Sequence, residues 1–224
     1  MDYTKRVIIS ENAGATVCLT ADLIASRQII DRAKAQKTVE TTLAVTNEEH
    51  AATILVPFSV TLGDEWQGLV ANVATALRID FEIRRALYPL RLASGIGVGT
   101  VATPLKGRTV EMDGECFHRS RAALEQAKRR KGSSAFILSS AQDFDDPANT
   151  ILSLLHALSD RWTKKQHATF VAFRRHGTEA TAAEALRVSQ PTVHKSLVGA
   201  MAKHYSEAQD ALIAFATRVG TTIE

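Results

Sequence analysis

Between residues 15 and 139, short apolar runs alternate with amphipathic segments, and this alternation limits the folds that the chain can adopt. The apolar runs predict four strands, at residues 15–24, 54–60, 91–103 and 134–139. The amphipathic segments predict three intervening helices, at residues 26–42, 70–87 and 117–131. This order favours an α+β fold of the ferredoxin-like kind, with two helices on one face of a mostly antiparallel sheet.

The second half of the chain shows a different pattern. After the acidic stretch 143–149, the apolar spacing is helical up to the C-terminus. We therefore divide the chain into a domain of residues 1–146 and an all-α domain of residues 147–224.

The composition excludes several classes of protein. A hydrophobic content of 45% and a charged content of 23% are typical of a globular protein. No apolar run is long enough to span a membrane, and the N-terminus lacks a signal-peptide core, so a cytoplasmic location without membrane contact is expected. Cys18 and Cys116 lack the spacing of metal ligands and are expected to be reduced, buried thiols. The net charge of +3 is too small to indicate nucleic-acid binding by itself.

Acidic residues mark the ends of the first two predicted strands. Asp22 lies near the end of the first strand, while Asp64 and Glu65 follow the second within the stretch Thr-Leu-Gly-Asp-Glu-Trp-Gln-Gly at residues 61–68. In a sheet of this topology these two ends are neighbours. Two converging carboxylates are costly unless a cation compensates them, which indicates a site for Mg²⁺ or Mn²⁺. The alternative is a polar turn whose acids are simply solvated.

The segment after Asp22 is suited to phosphate. Ser26 is a favourable N-cap for the first predicted helix, and the backbone N–H groups of Ala25, Ser26 and Arg27 would then face a bound anion. The divalent cation at Asp22 and Asp64 could therefore carry a nucleoside triphosphate.

Two further patterns have competing interpretations. Gly95, Gly97 and Gly99 fall on one face of the third strand, which leaves room either for a ligand or for a closely packed helix. The basic run 128–131 precedes Gly132, and it either compensates a helix C-terminus or contacts phosphate.

Residues 178–197 resemble a helix-turn-helix. Ala183 is small enough for two helices to cross, Val188 lies in the turn, and Arg187 occupies a position where glycine is common. A helical hairpin used for packing or dimerisation is the alternative. In a DNA-binding motif the start of the second helix meets base edges and phosphates, and here it carries polar residues throughout. The residues predicted to contact DNA are Ser189, Gln190, Thr192, His194 and Lys195.

Three segments together resemble known families. The Asp-Leu-Ile-Ala-Ser-Arg segment from Asp22, the Gly-Asp-Glu-Trp segment from Gly63 and the glycine-rich strand resemble class III nucleotidyl cyclases and the related GGDEF and polymerase-palm domains. More closely, the whole chain is similar to the SatD family. The resemblance implies a cyclase-like domain that binds metal through Asp22, Asp64 and Glu65. It implies phosphate contacts from Ala25, Ser26, Arg27, Gly63, Lys128 and Arg129. The chain departs from active cyclases at His118 and Arg121, which replace an Asn–Arg pair spaced by four residues.

These features lead to one main hypothesis and two alternatives. The chain is predicted to be a cytoplasmic homodimeric regulator that binds a nucleotide or cyclic nucleotide with Mg²⁺ and also binds DNA. The first alternative is a Mg²⁺-dependent nucleotidyl cyclase or nucleotidyltransferase that makes a cyclic or oligonucleotide signal from nucleoside triphosphates. The second is a structural adaptor in which the acids merely form turns.

Overall fold

The computed structural model describes residues 15–130 and 132–220, which form five strands and eight α-helices. The strands are β1 (Thr16–Leu23), β2 (Ile54–Leu62), β3 (Glu65–Val70), β4 (Leu92–Gly99) and β5 (Ser134–Leu138). The helices are α1 (Arg32–Glu49), α2 (Val73–Leu87), α3 (Glu115–Lys128), α4 (Gln142–Ser159), α5 (Lys164–His176), α6 (Glu179–Leu186), α7 (Gln190–Gly199) and α8 (Ala202–Gly220). The mixed α+β class predicted from the sequence is confirmed.

The five strands form one sheet in the order β2-β3-β1-β4-β5. β1 lies at the centre and pairs antiparallel with both β3 and β4, whereas β5 pairs parallel with β4. The β1 strand is buried because helices cover both of its faces. Leu19 belongs to the main apolar cluster with α1 and α2, and its neighbour Thr20 hydrogen-bonds Ser120 of α3 on the opposite face.

The prediction that the helices lie on one face of the sheet is therefore wrong. The glycines of β4 explain why α3 occupies the second face. A Cβ atom built on Gly97 would lie 2.1 Å from the Ser120 N atom, and one on Gly95 would lie 2.1 Å from the Ser120 O atom. The backbone of α3 thus fills the space that side chains would need. Of the two interpretations of these glycines, the packed helix is correct and the ligand channel is wrong.

A strand that the sequence analysis did not predict completes the sheet. Residues 65–70 form β3, and α2 begins only at Val73, where the Asn72 side chain accepts a hydrogen bond from Thr75 N at 2.9 Å. Gly68 sits in this strand because the Phe58 ring covers it, 2.6 Å from where a Cβ would lie. The Thr61–Gly68 stretch is thus a β-hairpin rather than a turn before a helix.

The start of the first helix also differs from the prediction. Ser26 does not cap α1; it begins a short 3-10 turn that ends at Gln28. Asp31 is the N-cap, because its Oδ1 accepts a hydrogen bond from Lys34 N at 2.9 Å. Consequently Ala35 and Val39 face the core, whereas Ile30 is fully exposed.

The helical part of the chain packs against the sheet. α4 spans residues 142–159, and the predicted division at 146/147 falls within it. The Asn149 side chain of this helix accepts a hydrogen bond from Ile137 N and donates one to Ile137 O in β5. One apolar cluster extends from β1 to α8 and includes Trp162, Phe170 and Tyr205, whose rings meet in tilted and edge-to-face contacts. The division into two domains stays a prediction.

Two further findings concern the described residues. None of their helices has both the length and the hydropathy required to cross a membrane. Cys18 and Cys116 are free and buried, and burial raises the pKa of the Cys18 thiol to about 12. Such thiols are protonated at neutral pH.

Candidate functional site

The turn between β2 and β3 brings Asp64 next to Asp22. Leu62 pairs with Glu65 across the hairpin, so only Gly63 and Asp64 form the turn. Gly63 has a φ of 61°, a left-handed conformation that glycine adopts without strain. Asp22 lies opposite Glu65 in the β1–β3 pair, and Asp64 is close enough to Asp22 for its charge to raise the pKa of the Asp22 carboxyl. The structure therefore places two carboxylates at the edge of the sheet where β1 and β2 end.

Lys128, the last residue of α3, provides a positive charge at this edge. Its Nζ atom lies 2.8 Å from Asp22 Oδ2. Burial raises the pKa of Asp22, Lys128 lowers it and Asp64 raises it again, so that the net shift is upward. Burial alone would lower the pKa of Lys128, but the hydrogen bond and charge of Asp22 outweigh it and raise the pKa. The lysine therefore compensates only part of the negative charge of the pair.

Asp64 carries the remaining unsatisfied group. Its Oδ2 atom is buried and has no hydrogen-bond partner among the described residues. A buried carboxylate oxygen without a partner loses its hydration at a cost of several kcal/mol in an apolar medium. Mg²⁺ is commonly held by one or two carboxylates together with waters and phosphate oxygens. Asp22 and Asp64 fit that requirement as a pair.

Glu65, the third predicted metal ligand, has other partners. Its Oε1 atom accepts hydrogen bonds from Arg121 Nη2 at 3.0 Å and Thr61 Oγ1 at 3.2 Å. Within residues 15–130 and 132–220, no cluster of three acidic, histidine or cysteine side chains could hold a metal. A role for Glu65 in metal binding stays a prediction.

The segment after β1 presents free backbone amides beside the acid pair. Ala25 has a left-handed backbone, with φ 55° and ψ 32°, and the 3-10 turn from Ser26 to Gln28 follows it. Gln28 N is bonded to Ala25 O, whereas the N–H groups of Ala25, Ser26 and Arg27 have no partner among the described residues. Successive amides in such a conformation form an anion-binding concavity.

A cleft of about 260 Å³ connects this segment with the hairpin turn. It is lined by Ser26, Gly63 and Asp64, and also by Arg32 from the first turn of α1. Sequence reasoning missed Arg32 because it placed the helix start at Ser26. Arg129, also predicted to contact phosphate, is exposed just after the end of α3.

A second cleft, of about 360 Å³, lies on the α3 side of the hairpin. Gln67, His118 and Arg121 line it. The Gln67 side chain is held in place, because its Nε2 donates to Thr20 Oγ1 at 2.8 Å and Thr20 is bonded in turn to Ser120 at 2.7 Å. Polar groups thus line a cleft on each side of the hairpin. The pairing of Gln67 with Thr20 had no signal in the sequence.

The structure places all residues predicted to contact DNA at the start of α7. Ser189 precedes the helix, and its hydroxyl is bonded to Thr192 Oγ1 at 2.8 Å. His194 Nδ1 lies 3.1 Å from Glu179 Oε1 of α6, so this histidine bridges the two helices. Four of the five side chains are exposed and Thr192 is half-buried. The set is Ser189, Gln190, Thr192, His194 and Lys195.

The fold and the acid pair define an α+β protein with a carboxylate site at the edge of its sheet and a helical C-terminal part. The chain belongs to the SatD family, whose model matches residues 16–212. This match confirms the resemblance inferred from the three sequence segments. A comparison with curated proteins found no significant match.

Several solved structures are similar to part or most of the chain. A bacterial light-regulated adenylyl cyclase is 14% identical, with a TM-score of 0.39, covering 53% of this chain and 72% of that one. An EAL/GGDEF domain protein from M. capsulatus is 17% identical, with a TM-score of 0.38 and coverage of 58% and 88%. A regulator of polyketide synthase expression from Bifidobacterium adolescentis is 15% identical, with a TM-score of 0.25 and coverage of 93% and 82%. All three TM-scores lie below 0.5, so these similarities do not identify the function.

Proposed function

We propose that the protein is a cytoplasmic regulator that binds a nucleotide with Mg²⁺ or Mn²⁺ at the sheet edge and binds DNA through α6 and α7. The observation that carries the nucleotide half is the buried, partnerless Oδ2 of Asp64 beside Asp22. A divalent cation bound there would satisfy this oxygen and offset the repulsion between the two carboxylates.

The phosphates of the nucleotide would lie between the cation and the free amides of Ala25, Ser26 and Arg27. Bound metal would supply positive charge to the phosphate oxygens, and the amides would donate hydrogen bonds to them. Arg32 lines the same cleft and adds a cation on the far side. Lys128 would exchange its contact with Asp22 for one with phosphate once metal compensates Asp22. Gly63 would allow the close approach of the turn.

Support for the DNA half comes from the geometry of α6 and α7. Arg187 ends α6 in a left-handed conformation with a φ of 54°, and Val188 N is bonded to Ala183 O at 3.0 Å. Val193 of α7 is buried beneath this turn. The tight connection leaves the polar start of α7 facing outward, which is the arrangement that helix-turn-helix proteins use to read the major groove. A homodimer would present two such helices to two half-sites.

Isothermal titration tests the nucleotide half. Mg-ATP, Mg-GTP and cyclic dinucleotides are titrated into the protein, into Asp64→Ala and into Asp146→Ala, whose exposed carboxylate lies in α4. We expect at least one of these ligands to bind to the parent and to Asp146→Ala but not to Asp64→Ala. Absence of binding for all of them would refute the proposal.

Gel shifts with genomic DNA fragments at two salt concentrations test the DNA half. Phosphate contacts require affinity to fall as salt rises, and Lys195→Ala is expected to weaken binding and reduce the salt dependence by about one unit of slope. Lys164→Ala, an exposed lysine at the start of α5, is the matched control. Lys195→Ala with unchanged affinity would contradict the proposed role of α7.

The second candidate function is a nucleotidyl cyclase or nucleotidyltransferase acting at the same acid pair. Arg121 favours it, because this cation extends from α3 to Glu65, which lies opposite Asp22 in the β1–β3 pair. Such a charge could stabilise a transferring phosphoryl group. This function would be established if the protein releases pyrophosphate from a nucleoside triphosphate and if both Asp22→Ala and Asp64→Ala abolish that release. Silence with all four triphosphates would exclude it.

A further inference from the structure

A cavity of about 160 Å³ lies where α2, the end of α4, α5 and α8 meet. It shares no lining residue with the two clefts beside the hairpin turn. Its volume is close to that of an engineered cavity that binds benzene. A molecule of several non-hydrogen atoms therefore fits, but a nucleotide does not.

The charges that line the cavity are mainly positive. Arg84, Arg85 and Arg91 contribute guanidinium groups, whereas Asp160 is the lining carboxylate. Arg84 is largely engaged, because it donates to Asp80 at 2.7 Å, to Leu92 O at 2.9 Å, to Ser94 at 2.6 Å and to Ser134 O at 2.7 Å. Arg84 therefore holds α2 on the sheet and keeps one N–H of its five for a ligand.

Arg85 and Arg91 both have their nearest carboxylate oxygen 3.9 Å away, and Arg85 is the less exposed of the two. For Arg85 this oxygen is Glu82 Oε1, which lies 3.9 Å from Nη2, and the other oxygen of Glu82 is paired with His50. The Arg85 side chain is only 22% exposed and forms no hydrogen bond to another described residue. Burial lowers its pKa. A desolvated cation in this state would gain charge-assisted hydrogen bonds from an anion.

His156 gives an independent indication of a ligand. This histidine lines the cavity, is 2% exposed, and its Nε2 atom is buried without a hydrogen-bond partner. Burial, followed by the charges of Arg84 and Arg130, lowers its pKa well below the ordinary value, so the ring is neutral. A buried ring nitrogen without a partner is uncommon in folded proteins and calls for an explanation.

The remaining walls combine hydroxyl and aromatic groups. Ser159 and Tyr205 place hydroxyl-bearing side chains at the cavity, and Trp162 is part of its wall. Tyr88 stacks on His167 with ring centroids 3.8 Å apart and closes one side. This mixture suits a small molecule with one or two charged oxygen groups.

We propose that this cavity binds a small oxyanion, with carboxylate or phosphate chemistry, through Arg85. The bound anion connects α2, which packs on the sheet, with α4, α5 and α8, because each of them contributes to the wall. Binding at this place does not depend on the nucleotide or DNA activities proposed above.

Fluorescence of Trp162 reports on the cavity directly. The chain has two tryptophans, so Trp66→Phe leaves Trp162 as the sole emitter. This variant is titrated with inorganic phosphate and, separately, with malonate, at constant ionic strength maintained with chloride. We expect a saturable change at millimolar or lower concentration with one or both anions, and the two titrations identify the preferred chemistry.

Two further substitutions locate the bound anion. Arg85→Gln should weaken binding about tenfold or more, since it removes a charge-assisted contact. Arg78→Gln, on an exposed position of the same helix, should bind like the parent. If Arg85→Gln does not fold by circular dichroism, Arg85→Lys replaces it and should bind several-fold more weakly because the planar fork is lost. Absence of saturation with both anions, or equal affinity in the Arg85 and Arg78 variants, would overturn the proposal.

Discussion

Lys128 Nζ lies 2.8 Å from Asp22 Oδ2, so the last residue of α3 supplies the counter-charge for a carboxylate at the end of β1. The contact joins α3 to β1 and involves one carboxylate of the pair that we propose as a metal site. If Asp22 binds a divalent cation as we propose, the lysine and the cation are alternative partners of one carboxylate.

Lys128→Gln should destabilise the metal-free protein by about 0.5–1 kcal/mol, because it leaves Asp22 and Asp64 without a cation in a partly solvated site. Added Mg²⁺ should restore more stability to this variant than to the parent. Urea unfolding in chelator and in Mg²⁺ measures both effects. Lys106→Gln, which removes an exposed ion pair with Glu111, is the control and should respond to Mg²⁺ like the parent. If Mg²⁺ stabilised Lys128→Gln no more than the parent, Lys128 and the cation would not compete for Asp22.

Asp64→Asn should stabilise the metal-free protein by about 1 kcal/mol. The substitution removes a charge next to Asp22, and the amide can donate a hydrogen bond to it. The same variant should lose the stabilisation that Mg²⁺ gives to the parent, which follows the logarithm of metal concentration over the dissociation constant. Thermal unfolding with and without chelator tests both parts. A variant that is less stable than the parent in chelator would show that Asp64 has a purely structural role.

The outcome at this site illustrates what the sequence can predict. Asp22 and Asp64 could be placed together because each follows an apolar run and their strands end at the same edge. The ion pair of Glu65 could not be predicted, since its partner Arg121 lies 56 residues away and the pairing depends on how α3 packs. The position of Arg32 in the cleft was not predicted for a related reason. Ser26 and Asp31 are both acceptable N-caps, and only the packing of Ala35 against the sheet decides between them.

The same limits apply to the fold. β3 was missed because Gly68 weakens its strand pattern, and its compensation by the Phe58 ring is a contact between strands. The glycines of β4 were recognised as a face, but their spacing alone could not say whether a ligand or a helix occupies it. The cavity at Arg85 is lined by residues of four helices, so no local sequence pattern predicts it.

Gly97→Ala should cost about 3 kcal/mol or more, or abolish folding. The added Cβ would lie 2.1 Å from Ser120 N and 2.3 Å from Cys116 O, and both are backbone atoms that cannot move without displacing α3. Gly107→Ala is the matched control, because no heavy atom lies within 4 Å of its added Cβ. Urea midpoints of the two variants should differ clearly. Equal midpoints would mean that α3 does not pack on β4 as described.

Stability should fall as the pH is lowered from about 6.5 towards 4. Burial, followed by the charge of Arg85, lowers the pKa of His167 to about 4, so the folded state stays unprotonated where the unfolded state, with a pKa near 6.5, already binds a proton. Its contribution is therefore complete above pH 6.5 and is lost as the pH falls. His156 acts in the same direction.

His167→Phe should make this loss less steep, because phenylalanine keeps a ring on Tyr88 but does not titrate. Melting temperatures measured at intervals between pH 7 and 4 give the slope. His176→Gln, at the exposed end of α5, should retain the slope of the parent. Parallel curves for His167→Phe and the parent would refute the assignment.

Arg187→Gly should stabilise the protein by about 0.5 kcal/mol. Arg187 occupies the left-handed region, with φ 54° and ψ 44°, which costs a residue with a Cβ about 1 kcal/mol and costs glycine almost none. Glycine also raises the conformational entropy of the unfolded chain, which offsets part of this stabilisation. Arg187→Ala is the control, since it removes the same side chain but keeps the Cβ, and it should give no gain. Urea unfolding of both variants separates the backbone effect from the loss of the guanidinium. If the two variants were equally stable, the turn between α6 and α7 would carry no strain.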